Sequence, residues 1–288
     1  MTLRTHTQPL SYRLHMPESA PAALVLDSPH SGTSYPPDFQ TAIEPGVLRT
    51  AEDTWVADLW GDAPALGVPL IEARFPRAYI DANRGDEEID PQLLDTPWPE
   101  PLPDSPKVRL GKGLIWRMLD DGTPLYERKL SIAEVQHRID ACWKPYHGAV
   151  KQTLDAAYAQ HGKVWHINCH SMPSIAAAFA TDTPGLVHPD FVLGDRDGTT
   201  SAPEFREFVA AWLSERGYDV AVNAPYKGVE LVRRYGDPAQ NRHSLQLEIN
   251  RKLYMDEATL RPTAGYQTIR DLFKNLVTDL VAWTASRP

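Results

Sequence analysis

Cysteine is almost missing from this chain: its 288 residues include two, Cys142 and Cys169. Two thiols cannot build the disulfide framework of a small secreted domain, and neither belongs to a CxxC pair that would suggest a thiolate metal site. A reducing compartment is the expectation. Positive charge is also scarce, with 29 Lys and Arg against 38 Asp and Glu, a formal net charge of -9 and a pI near 5.6. Such a surface repels a nucleic-acid backbone on average, while leaving room for a local basic pocket that holds a small anion. No apolar run approaches the roughly 20 residues that span a bilayer. The first residues, MTLRTHTQPLSYRLHMPES, lack the apolar core of an export signal. The expected protein is cytoplasmic, with neither membrane nor nucleic acid as a partner. Internal repeats and low-complexity tracts are missing too.

Hydrophobic residues make up 42% and charged residues 23%, enough apolar material for a packed core. No long Ser/Gly linker divides the chain, so residues 1–288 read as one domain, with 1–20 as an N-terminal extension. Short β-rich apolar runs at 23–26, 68–72, 78–80, 164–168, 190–193, 219–222 and 244–249 alternate with helical periods. That alternation predicts an α/β fold with a mixed, mostly parallel central sheet flanked by helices. The clearest helix covers 131–159, opened by a Ser131/Glu134 capping box; others are expected at 49–60, 203–216 and near the C-terminus from Tyr266 to Val281. Between 86 and 109, proline and acidic residues break every period, predicting a long excursion of the kind that borders active sites.

Three apolar runs end on polar residues, and in an open α/β sheet ligands bind outside the carboxyl ends of strands. LVLDSPHSG delivers Asp27 and His30, VWHINCHSMPS carries His166, Asn168 and His170, and LQLEIN holds Glu248. Two neutral imidazoles and a carboxylate, with one position left open, form a hydrolytic zinc set. His30 and His170 supply the imidazoles, and Glu52 or Asp53 the carboxylate. Glu248 lies in an otherwise apolar run, where a carboxylate is costly unless paired or put to use. It reads either as a general base beside a metal-activated water or as an outward position on an edge strand, since Ser244, Gln246, Glu248 and Asn250 alternate with apolar residues. Arg74, Arg77, Arg84, Arg233 and Arg234 are candidates for gripping carboxylates through guanidinium forks. Ser31 and Ser171 each follow a His, but no GxSxG elbow accompanies them.

At these same residues the chain resembles the N-formylglutamate amidohydrolase family, through SPHSGTSYP, EDTWVADL, ARFPRAYIDANR, KPYHGAV, NCHSMPS, VLGDRDGT, NAPYKGVEL and LQLEINRKLYMDE in that order. The resemblance implies a fold related to zinc carboxypeptidases and aspartoacylase-type deacylases, one zinc per chain or another divalent ion in its place, and an N-acyl amino acid as substrate. It implies His30, Asp53 and His170 as metal ligands and Glu248 as general base. Asn83 and Arg84 resemble a carboxylate-holding pair, with Arg77 and Arg234 as candidates for a second carboxylate. The expected reaction is hydrolysis of an acidic N-acyl amino acid, foremost N-formyl-L-glutamate to formate and glutamate, in histidine degradation. The rival readings are a related zinc deacylase or peptidase and a non-catalytic binder of an anionic metabolite. One departure from the family pattern, Lys227-Gly228-Val229-Glu230-Leu231-Val232, bears on substrate selection.

Overall fold

The computed structural model describes residues 4–177 and 184–287. Eight strands form one sheet in the order β1-β2-β4-β3-β5-β8-β6-β7: β1 (Arg4–Gln8), β2 (Tyr12–Met16), β3 (Leu24–Ser28), β4 (Leu70–Ala73), β5 (Val164–Met172), β6 (Phe191–Gly194), β7 (Val220–Val222) and β8 (Arg242–Asn250). The central run β4-β3-β5-β8 is parallel, as is β6 with β7; β1/β2, β2/β4 and β6/β8 are antiparallel. The sheet is therefore mixed and mostly parallel, as the alternation of elements predicts.

Side chains on a strand point alternately to opposite faces, and here that alternation separates core from chemistry. Leu24 and Leu26 of β3, Ile167 and Cys169 of β5, and Leu245 and Leu247 of β8 share a core with the helices Pro203–Ser214 and Gly265–Ala285. The other face meets the helix Lys144–His161 through Val25, Tyr146 and Val150. Toward the carboxyl ends this second face turns polar: Asp27, Asn168, His170, Gln246 and Glu248 all lie on it, and all are buried. Glu248 is not on an edge strand, because β8 is paired on both sides.

The expected helix at 131–159 forms, with its Ser131/Glu134 capping box, but it is not uniform. Ile132–Arg138 passes through a π-helical turn, Ile139–Trp143, before Lys144–His161. A π-turn places an extra residue in the helix and rotates the turns C-terminal to it. Here Trp143 donates from its indole to the Arg84 carbonyl at 3.0 Å, and His147 bonds the Ala82 carbonyl at 2.8 Å. The backbone on both sides of Asn83 is thereby pinned.

Two expectations are corrected. Residues 78–80 form a turn rather than a strand, since the Tyr79 N–H closes onto the Pro76 carbonyl at 2.9 Å; their apolar character comes from burial within the turn. The helix expected at 49–60 is broken into a 3-10 turn, Arg49–Ala51, and a short helix, Val56–Leu59, with Glu52 extended and Trp55 at φ 70°. Positive φ is rare for so bulky a residue, and such strain gathers at functional sites. Asp53 sits inside this break, where its N–H bonds the His30 carbonyl at 3.0 Å. Within the expected N-terminal extension, 1–20, β1 and β2 add two strands to the sheet.

One buried histidine far from the polar face gives a stability test. His243 stacks on Trp165 at 3.9 Å and its Nδ1 accepts from the Ala202 N–H at 3.1 Å. Burial pushes its pKa down to about 4, with Glu204 pulling weakly the other way. The unfolded chain takes up this proton near pH 6.5 and the folded chain only near pH 4. Its contribution to stability is therefore complete above 6.5 and is lost as pH falls through that window. Urea unfolding is expected to show the decline, with at most about 1.4 kcal/mol per pH unit from this residue. A His243→Phe variant, which keeps the stack, should show a shallower slope.

Candidate active site and metal centre

The site is assembled where β3, β5 and β8 end. Past β3 the chain turns through Pro29 and His30, and Gly32 lets it lie against a neighbouring backbone: a Cβ there would stand 2.2 Å from the Phe75 carbonyl oxygen. His30 and His170 bring their rings to a centroid distance of 4.7 Å. Both Nδ1 atoms face one carboxylate oxygen, Asp53 Oδ2, at 3.2 Å from His30 and 3.0 Å from His170. Ligand atoms from the three residues lie within 4.8 Å of one another, all buried.

The outer nitrogens decide what this cluster can hold. His30 Nε2 is 2.7 Å from Asp81 Oδ1, and His170 Nε2 is 2.7 Å from Asn168 Oδ1. If each Nε2 carries the proton it donates, both Nδ1 atoms face the Asp53 carboxylate across a gap that a second ring proton fills in the metal-free protein and that a cation can fill in its place. Ligating histidines are held in this manner, with the remote N–H fixed by a carboxylate or amide oxygen. The residues present fit a divalent metal. Glu52 does not compete for the position, because its carboxylate accepts from Tyr35 and Arg49.

The supporting network is buried and dense. Asp81 also accepts from the Asn83 N–H, Arg77 and the Trp116 indole. Burial alone would raise its pKa, yet the charges of His30, Arg77 and Arg84 hold it well below the usual carboxylate range. For Asp53, burial is likewise outweighed by the hydrogen bonds to His170 and His30 and by Arg77. Further back, Asp27 accepts from Asn168 at 2.8 Å, from Tyr146 at 2.6 Å and bonds His166 at 2.7 Å, which steadies the amide that holds His170.

Glu248 stands directly opposite His170 in the β5/β8 register. It is 8% exposed, and its Oε1 accepts from Gln246 at 2.9 Å. Burial pushes its pKa up to about 7; His170 opposes this and Asp53 adds to it.

These groups open into a cavity of about 790 Å³, lined by Glu88, Ser105 and Lys107 of the excursion and by Tyr226 and Gly228. Arg77 and Arg84 line it. Arg77 is paired with Asp81 at 3.1 Å, while Arg84 donates to the carbonyls of Lys112 and Asn83, both at 2.8 Å. Asn83 uses its Oδ1 to accept from the Leu231 N–H at 3.0 Å and keeps its Nδ2 within 3.2 Å of His170. Arg234 is not brought to the cavity: it pairs with Glu230 and Asp86 and lies over Trp143, and the neighbouring Arg233 lines the wall instead. Neither serine has a histidine partner among the described residues. Ser31 bonds Ser28, the Asp53 carbonyl and the Ala57 N–H, and Ser171 accepts from Arg251.

The family model described as N-formylglutamate amidohydrolase matches residues 22–255. The chain belongs to that family. An N-formylglutamate deformylase of Pseudomonas putida is 29% identical over 278 residues, covering 92% of this amidohydrolase and 94% of the relative. A deformylase of the same name from Pseudomonas aeruginosa is 28% identical over 273 residues, with the same coverage. The crystal structure of N-formylglutamate amidohydrolase from Ralstonia eutropha JMP134 superposes with a TM-score of 0.92 at 46% identity, over 96% of this chain and 99% of that one. A protein from Agrobacterium tumefaciens, at 17% identity and a TM-score of 0.66, shares the fold.

Sequence reasoning passed over Asp81, Trp116, Lys112 and Arg251. Asp81 bore a usable signal, since it follows the apolar Ala78, Tyr79 and Ile80 as Asp27 follows Leu26. Arg251, directly after LQLEIN, reaches Asp53 Oδ1 at 3.3 Å through a contact that sequence spacing does not reveal.

Proposed function

We propose that this chain hydrolyses the amide bond of N-formyl-L-glutamate to formate and L-glutamate, with zinc held by His30, Asp53 and His170. The observation that carries the reading is the convergence of those three donors beside Glu248, in a cavity that also presents arginines. The activity for which the Pseudomonas relatives are named supports the choice of substrate.

Zinc, when bound, supplies polarisation of a carbonyl oxygen and makes water more acidic. Glu248, with a proton affinity near neutrality in the metal-free protein, takes a proton from the attacking water as its oxygen bonds to the formyl carbon. The same carboxyl group returns that proton to the amide nitrogen as the C–N bond breaks, giving formic acid and an amine; the acid's proton then passes to the amine, leaving formate and the ammonium form of glutamate. Arg77, 3.6 Å from Asp53 and beside the cluster, is placed to donate to negative charge developing on the formyl oxygen. Arg84 supplies positive charge at the cavity wall for the α-carboxylate, and Asn83 holds the wall to the helix after Val229.

The test measures formate release from N-formyl-L-glutamate by purified protein, before and after chelation and again after zinc is restored, with metal content determined on each sample. Chelator-sensitive, zinc-restored release is expected. Stoichiometric zinc without release would overturn the substrate, and release indifferent to chelation would overturn the metal.

The remote hydrogen bonds give a subtler expectation. An Asp81→Asn side chain can turn its NH₂ toward His30, moving the ring proton to Nδ1, where it would oppose the metal. Zinc affinity, read by competition with a chromophoric chelator, is expected to fall about 10- to 100-fold.

A further inference from the structure

The turn after β6 is strained in a way the amide chemistry does not account for. Arg196 and Asp197 hold φ of 51° and 60°, ahead of Gly198 at 82°. Side chains rarely occupy that region, and successive residues there persist only when their surroundings enforce it. Asp195 is the enforcing group: fully buried, it accepts from the Gly198 N–H at 2.9 Å, Asn223 Nδ2 at 2.7 Å and Arg206 at 2.7 Å.

The turn delivers the Arg196 side chain to the cavity wall. Its N–H donates to the Lys227 carbonyl at 2.8 Å, and one guanidinium nitrogen donates to the Gly228 carbonyl at 3.0 Å. This approach depends on two glycines. A Cβ on Gly194 would stand 2.6 Å from the Lys227 carbonyl carbon, and Gly228, at φ 95°, would place one 2.6 Å from Val232 Cγ2. Both strained elements thus serve to hold one half-buried guanidinium.

Charge sets Arg196 apart from its neighbours. Arg77, Lys112, Lys227, Arg233 and Arg251 of the cavity wall each face a carboxylate of the protein. Arg196 makes no ion pair among the described residues. Register fixes its place: Val192 lies opposite Glu248 and Gly194 opposite Gln246, so β6 runs away from the proposed base. Arg196 comes two residues after Gly194, in the turn that follows β6, so it joins the cavity wall beyond the level of Gln246. That position suits an anion several bonds beyond the scissile amide rather than the carboxylate next to it.

We infer that Arg196 receives the side-chain carboxylate of an acidic N-acyl amino acid and so selects acidic over neutral side chains. The inference rests on the amidohydrolase reading above. A guanidinium fork discriminates strongly between a carboxylate and its amide, because only the carboxylate accepts two charge-assisted hydrogen bonds.

The experiment compares wild type with Arg196→Ala and Arg196→Lys on N-formyl-L-glutamate and N-formyl-L-glutamine, after thermal unfolding confirms that the variants fold. For Arg196→Ala, kcat/KM on the acidic substrate is expected to fall about 100-fold, chiefly through KM, while the value on the neutral one changes less than about 3-fold. Arg196→Lys should recover part of the loss. Equal losses on both substrates, or no loss on either, would overturn the inference. Calorimetric binding of L-glutamate and L-glutamine to the same proteins separates the two readings without turnover. If wild type fails to release formate yet prefers glutamate in an Arg196-dependent way, the deformylase assignment falls and Arg196 keeps its role. If that preference is absent or survives in Arg196→Ala, the Arg196 inference falls on binding grounds.

Discussion

A Glu248→Gln enzyme is expected to lose about 10³-fold in kcat on N-formyl-L-glutamate, while its zinc content and KM stay close to wild type. The substitution keeps the shape of the side chain in β8 and removes its capacity to accept and return a proton. Glu248 suits that role because it is buried opposite His170, with burial pushing its pKa up to about 7. The same shift predicts a gain in stability. The folded, metal-free chain holds this proton across the interval from 4.5, the ordinary glutamate value, to about 7. Stability from the bound proton is complete below that interval and is lost as pH rises through about 7. Metal-free Glu248→Gln should therefore unfold at higher temperature than metal-free wild type at about pH 8, with little difference near pH 4.5. Turnover near the wild-type rate would remove Glu248 from the mechanism.

His170→Ala should lose both metal and activity. One imidazole and one carboxylate would remain, too few to compete for zinc with a mild chelator. Formate release is expected to fall by at least about 10³-fold, as several kcal/mol of electrophilic stabilisation disappear. Chelated wild type recovers when zinc is returned; His170→Ala should not recover at the same zinc concentration. The contrast matters because His170 is also held by Asn168, so a purely structural role would lower the unfolding temperature without changing metal stoichiometry. A variant that keeps one zinc per chain and turns over normally would show that the three donors are not the metal site.

Much of the scaffold was legible because it rests on short-range patterns. The runs at 23–26, 164–168 and 244–249 matched β3, β5 and β8, and the capping box at Ser131 marked the start of its helix. The failures share a cause. Residues 49–60 have helical composition, yet Asp53 must turn toward His30 and His170, and that long-range demand breaks the helix and leaves Trp55 at positive φ. The turn at 78–80 looked like a strand because burial, not pairing, selected its apolar residues. At the site, residues at strand ends announced themselves through polar interruption of apolar runs. Asp81, Trp116 and Arg251 converge only through folding, and Arg234, adjacent to a residue of the wall, was indistinguishable from it in sequence.

The pairing of His170 with Glu248 across neighbouring parallel strands has an engineering consequence. Their separation is set by the backbone ladder, so neither depends on a loop to find the other. The walls that meet the remainder of a substrate come instead from connections, among them residues 86–109, the turn after β6 and the stretch around Gly228. Libraries confined to those connections can redirect which amino acid is accepted without retuning bond cleavage, and grafting them onto another member's sheet should transfer preference as a module.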